Sequence, residues 1–339
     1  MKDVKSFPVV AEIAVNSGPV GSIAATADGR QVLATNYRGN SVSVIDTRSG
    51  TVIQTIIGIE EPFAVAMAGA GNNRAYVNTA SAAYDAIVAI DMRANTVVAT
   101  HPLAFSVTDL AVSTDGKHAY ASRSEEGRAD IAVLNTTTGD IDVIEIAAVP
   151  GTTADHVRIS EDGQRLYVAA NGPYDGRLVV IDARERQVTC SIQIGSPIRD
   201  VALSSDGGTA YVASSGTEFG AVVDVIDTGT NTITSTAKVG EIGAFVTQLA
   251  LSSDGDRAYL VSNGGVTVLS LPTQEVIGTI TASTQPSCVI ESPDGSRLYV
   301  ADYSGVVTVL MIASPVLQTA DDDSTADLPE PLMLDPAVI

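Results

Sequence analysis

The chain has 339 residues, 45% of them hydrophobic, with Phe 5, Tyr 10 and no Trp; its apolar mass is Val, Ile, Ala and Leu, side chains that suit strands packed sheet on sheet. Lys plus Arg is 19 against Asp plus Glu 40, a formal charge of −21, and a field of that sign repels phosphate backbones and anionic lipid heads. The composition therefore argues against nucleic-acid and membrane partners, and no segment approaches the roughly 20 apolar residues of a membrane span.

The N-terminal stretch MKDVKSFPVVAEIAV has a short apolar run broken by Glu12 and no small-residue cleavage site. It reads as a cytoplasmic start rather than a secretory signal. The first predicted element is a strand at PVVAEIAV (8–15), an orphan that precedes the repeat.

From there one phrase recurs. Asp-Gly pairs stand at Asp28-Gly29, Asp115-Gly116, Asp162-Gly163, Asp206-Gly207, Asp254-Gly255 and Asp294-Gly295, and Gly71-Asn72-Asn73 fills the widest gap. The result is seven units with a period of roughly 40 to 48 residues, the range of propellers, solenoids and repeat arrays. Asp and Gly tolerate the positive φ values of a tight hairpin turn.

In chain order, unit one shows third and fourth strands at VSVIDT (42–47) and TVIQTI (51–56). Unit two shows IVAIDM (87–92) and TVVATH (96–101), and unit three opens with DLAVS (109–113). Unit four has RLYVAAN (165–171), LVVIDA (178–183) and QVTCSIQI (187–194). Unit five has DVALS (200–204), TAYVASS (209–215), VDVIDT (223–228) and TITSTAKV (232–239). Unit six opens with QLALS (248–252), and unit seven ends at VVTVLMI (306–312) with only three strands. Sustained 3.6-residue periodicity is absent, so helix is nearly absent.

Four short antiparallel strands repeated seven times predict an all-β fold, a single seven-bladed β-propeller over residues 1–313. The orphan strand at 8–15 is expected to complete the last blade and so remove the open edge; a strand at 315–319 is the competing closure. Residues 314–339 form an acidic, Pro-containing tail outside the repeat, whose first half has a disordered composition and whose apolar end could dock on a partner.

The phrases SPDGSRLYVADYSGVVTVL (292–310) and VSVIDTRSGTVIQTI (42–56) resemble the YVTN family of β-propeller repeat proteins, and the resemblance covers residues 8–312. Unit two departs from it at the turn, and units three, six and seven depart at the Ile-Asp-Thr step. The resemblance implies the propeller fold and is nearly silent on function, because the repeated residues are turn and core residues.

Aligning the units on their turns places Ser22, Asp109, His156, Asp200, Gln248 and Cys288 on one ring of first-strand positions, with Arg158 two residues and Glu291 three residues further along their strands. A buried charge needs a partner, so Asp109, His156, Arg158, Asp200 and Glu291 form the candidate constellation. The bland reading is that these groups cap backbone at strand starts. The catalytic reading makes His156 a general base oriented by Asp109 or Asp200, with Arg158 or Arg199 holding an anionic group. Gln248, Cys288 and Glu291 would add to ligand binding. The loops joining second to third strands contribute Tyr37, Arg38, Arg123 and Tyr174, residue types enriched at binding hot spots.

Two distant cysteines and three scattered histidines suggest no metal centre and no cofactor, although an acidic channel could hold calcium. The sequence therefore supports a binding scaffold that takes an unknown protein or small-molecule ligand on the loop-rich face. The alternative is a lactonase- or lyase-like enzyme acting on an anionic small molecule around His156.

Overall fold

Each Asp-Gly pair closes the hairpin between the first and second strands of a repeat, and a side-chain ladder fixes its shape. Thr26 Oγ1 donates to Asp28 Oδ1 at 2.7 Å, the amide of Arg30 donates to the same oxygen at 3.1 Å, and the amide of Gly29 closes the turn on the Thr26 carbonyl at 2.8 Å. The Ser/Thr-to-Asp bond recurs at Ser113–Asp115, Ser160–Asp162, Ser204–Asp206, Ser252–Asp254 and Ser292–Asp294. Positive φ falls on the glycine alone, 66° at Gly29. The aspartate is thus a hydrogen-bond acceptor in a turn followed by a left-handed glycine, which corrects the expectation that both residues take positive φ.

The computed structural model describes residues 7–15, 18–81, 84–104, 106–125, 127–147, 149–173, 175–195, 197–216, 220–240, 246–283 and 285–312. Its strands form seven four-stranded antiparallel sheets. Blade 1 comprises Val20–Ala25, Gln31–Asn36, Ser41–Asp46 and Thr51–Ile57, and the succeeding blades repeat that order. Blade 7 is Pro286–Glu291, Arg297–Asp302 and Val306–Met311, with Val9–Ala14 as its outer strand. Ile13 lies opposite Val307 and Glu12 opposite Thr308. The N-terminal strand therefore closes the ring; the competing strand at 315–319 lies outside the described residues. One short 3-10 turn, Tyr37–Gly39, interrupts the all-β pattern among the described residues.

The core is a set of seams rather than one centre. Seven apolar clusters each join two neighbouring blades, among them Ile45, Ile23, Tyr299 and Val307 between blades 7 and 1, and Ile131, Val157, Leu166 and Ile181 between blades 3 and 4. Second and third strands are buried on both faces, whereas outer strands are mostly exposed. Guanidinium groups brace two of the seams. Arg165 Nη1 donates to the Thr228 carbonyl and Arg297 Nη1 to the Thr47 carbonyl, both at 2.6 Å. First strands touch the first strands on either side all round the ring, blade 7 against blade 1 included, so they line the axis.

Candidate functional site

Most first strands carry a β-bulge at the ring position, as at Val107/Asp109, Ala154/His156, Ile198/Asp200 and Pro286/Cys288; the described strand Gln248–Leu251 pairs without one. A bulge removes an amide from the ladder, and a buried amide needs an acceptor. The ring side chains supply it across the blade boundary. Asp109 Oδ2 accepts the amide of Val157 at 3.2 Å, Asp200 Oδ2 that of Leu249 at 2.8 Å, and Gln248 Oε1 that of Val289 at 2.6 Å. Cys288 receives the amide of Ile23 in the same way. Blades 3 and 5 follow blades whose ring residues are Ala64 and His156. There the aspartate turns back on its own strand as well, with Leu110 N on Asp109 Oδ1 at 2.8 Å and Val201 N on Asp200 Oδ1 at 2.7 Å.

Between these two aspartates lie His156 and Arg158, two residues apart on one face of Thr153–Ile159. Arg158 spans them, Nη1 to Asp109 Oδ2 at 2.5 Å and Nη2 to Asp200 Oδ1 at 2.7 Å, and Nη1 also reaches the Val157 carbonyl at 2.7 Å. His156 Nδ1 is 3.3 Å from Asp109 Oδ2 and 3.5 Å from Asp200 Oδ1. The carboxylates are buried while the imidazole and guanidinium remain about a quarter exposed, at 25% and 29%. Burial alone would raise the Asp109 pKa, but the Arg158 charge, His156 and the amides hold it well below the usual carboxylate range. Burial likewise works to lower the His156 pKa; Asp200 and Asp109 outweigh burial and the Arg158 charge and hold it above its ordinary value. Nδ1 is committed to the acids, and Nε2 has no protein partner among the described residues. The group is a nearly neutral ion cluster with one open imidazole nitrogen.

The structure thus brings Asp109, His156, Arg158 and Asp200 together and separates Glu291 from them. Glu291 ends its strand near the opposite mouth and accepts from Tyr259 Oη at 2.6 Å, Ser253 Oγ at 2.8 Å and Ser253 N at 3.0 Å, with Arg257 Nη2 at 3.8 Å. Gln248 and Cys288 are occupied as seam acceptors. Cys288 is buried, and burial pushes its thiol up to about 12. Arg199 Nε donates to Ser215 Oγ at 3.2 Å, and Arg123 is paired to Asp130 at 2.7 Å. Tyr174 lies outside the described residues.

Tyr37 and Arg38 do stand on the loop face, with neighbours that sequence reasoning passed over. Tyr37 Oη donates to Glu61 Oε2 at 3.1 Å, and its ring meets Phe63 edge-to-face with centroids 6.5 Å apart. Phe63, Tyr84 and Tyr303 are 48%, 48% and 44% exposed. All three belong to the same end of blades 2 and 7, where first and third strands begin and second strands finish. The scarcity of aromatics outside the buried Tyr-Val strands is the signal that would have found them.

The chain is 50% identical over 337 residues to the seven-bladed beta-propeller protein Rv1057 of Mycobacterium tuberculosis, a match covering 91% of this chain and 86% of that one. The chain belongs to the Rv1057 family of seven-bladed beta-propellers. A second relative of this kind, a seven-bladed beta-propeller protein of Mycolicibacterium smegmatis, is 37% identical over 69 residues, 20% of this chain and 19% of that one. Hydrazine synthase of Kuenenia stuttgartiensis superposes with a TM-score of 0.77 at 22% identity, over 88% of this chain and 96% of that one, which is a likeness of fold. No family model matches the chain. Membership of the Rv1057 family accords with seven blades and leaves the role of the loop face open to chemical argument. No helix among the described residues is long and apolar enough to cross a membrane.

Proposed function

We propose that the protein is a cytoplasmic binding scaffold of YVTN type that takes a protein or small-molecule partner on its loop face. The observation that carries this reading is the confinement of Phe63, Tyr84 and Tyr303, the most exposed aromatic side chains among the described residues, to one end of blades 2 and 7, which flank blade 1. Exposed aromatics cost solvation unless a partner covers them, and they dominate interface energetics. Lactonase- or lyase-like chemistry at His156 has less support. Arg158 is engaged by both aspartates, and both aspartates are engaged by backbone amides. Among the described residues no hydroxyl or thiol stands within hydrogen-bond reach of His156 to serve as nucleophile.

The test is capture from a lysate of the native host by the wild type and by a Phe63→Ala/Tyr84→Ala/Tyr303→Ala variant with the same melting temperature. A partner retained by the first and lost by the second supports the scaffold. Equal capture by both would overturn it, as would substrate turnover abolished by His156→Ala.

A further inference from the structure

At the seam of blades 1 and 2 two non-glycine residues hold left-handed backbone side by side, Asn40 at φ 48° and Glu61 at φ 39°. Such conformations persist only where the surroundings over-determine them. Here the Glu61 amide donates to Asn40 Oδ1 at 2.9 Å, and the Glu61 carbonyl accepts the Ala80 amide at 3.3 Å. The carboxylate is fixed in turn by the Tyr37 hydroxyl, and that bond holds the phenol above its ordinary pKa. Blade 7 closes in from the other side, since a Cβ on Gly18 would lie 3.3 Å from that of Arg38, and one on Gly305 would lie 2.8 Å from the Gly18 carbonyl oxygen.

The product is an exposed carboxylate beside two aromatic rings set edge to face. Its second oxygen has no partner among the described residues, and Arg38 forms no ion pair with it there. Ring faces carry negative potential, so rings and carboxylate together select a cation. Glu60 adds a second exposed acid next to it, and the chain's formal charge of −21 draws cations from a distance.

We infer that this surface receives a lysine or arginine side chain of a partner polypeptide, seated on Glu61 against Tyr37 and Phe63. The inference rests on the scaffold reading and specifies the chemistry of its partner. The ring edge supplies apolar contact for the methylene stem, and the carboxylate takes the charged head.

The full-length chain is titrated with a fluorescent oligolysine peptide at two salt concentrations, with oligoglutamate as control. Binding is expected for oligolysine alone and should weaken with salt. Glu61→Gln and Phe63→Leu should each weaken it about fivefold, the scale of one exposed cation–π or ion contact. Glu185→Gln, which makes the same change of net charge at the opposite end of blade 4, should leave it unchanged. Equal weakening by Glu61→Gln and Glu185→Gln would reduce the effect to the general field and overturn the site, as would no effect of Phe63→Leu. Lysate capture that survives Glu61→Gln but is lost with the three aromatics would overturn the cationic partner and leave the scaffold standing.

Discussion

Asp200 on blade 5 accepts the amide of Leu249 on blade 6 while it faces Arg158 on blade 4 at 2.7 Å. One carboxylate thus joins three blades. Asp109 joins two, from blade 3 to the Val157 amide and Arg158 of blade 4. These acids staple the axis of the ring, and amides and a guanidinium partner their buried oxygens.

That arrangement orders the cost of substitutions. Gln248→Ala removes one neutral seam bond and should cost about 1–3 kcal/mol. Asp200→Ala leaves the Leu249 and Val201 amides without their acceptor and Arg158 half-paired, and should cost about 3–5 kcal/mol. Asp200→Asn retains one amide acceptor and should fall between the two. Urea unfolding gives the ranking; Asp200→Ala no worse than Gln248→Ala would mean that the ion cluster adds nothing to the staple.

Histidine 156 should titrate above the roughly 6.5 of a free imidazole, because the two aspartates outweigh burial and Arg158. A raised folded-state value stabilises the fold fully below the unfolded pKa, and that contribution is lost as pH rises through the folded value. His156→Ala should therefore be most destabilising in mild acid and least so in base. NMR resolves the site, since burial sets the His101 pKa below its ordinary value. Asp109→Asn should bring the His156 midpoint down; a midpoint that starts below 101's would contradict the geometry.

Closure by Val9–Ala14 predicts what its removal does. Deleting residues 1–15 strips the Val306–Met311 edge of its partner, and an unpaired edge seeks another. The variant should oligomerise on a sizing column and melt well below the wild type. A monomer with unchanged melting would show that the ring closes without it.

The two thiols should differ in reactivity. Cys288 is buried with its pKa pushed up to about 12, whereas Cys190 is half-buried on an outer strand. The thiolate is the reactive form. A disulfide reagent at neutral pH should label Cys190 in the native protein and reach Cys288 only at the rate of global unfolding. Native labelling of Cys288 would mean that the blade 7–blade 1 seam opens locally.

The repeat made the architecture legible. Asp-Gly turns, Tyr-Val strands and Ile-Asp-Thr strands are local signals that recur, so each unit confirms its neighbours, and the missing strand after Met311 pointed to residues 8–15 as the closing strand. The turn alignment also placed Asp109, His156 and Asp200 on one ring, because equivalent positions in successive blades are neighbours by symmetry. Partners that break the repeat were not legible. Glu291 sits only a few residues beyond the ring position of its strand, yet strand length carries it towards the opposite mouth, to Tyr259 and Ser253. The bulges that turn Asp109 and Gln248 into acceptors for the next blade leave no mark in sequence, since one displaced amide costs no change of residue type. Glu61 and Phe63 meet Tyr37 across 24 and 26 residues only once two blades are docked. Local patterning decided the blades because turn and strand preferences act over a few residues; closing the ring decided which side chains share a surface, because that depends on contacts between blades.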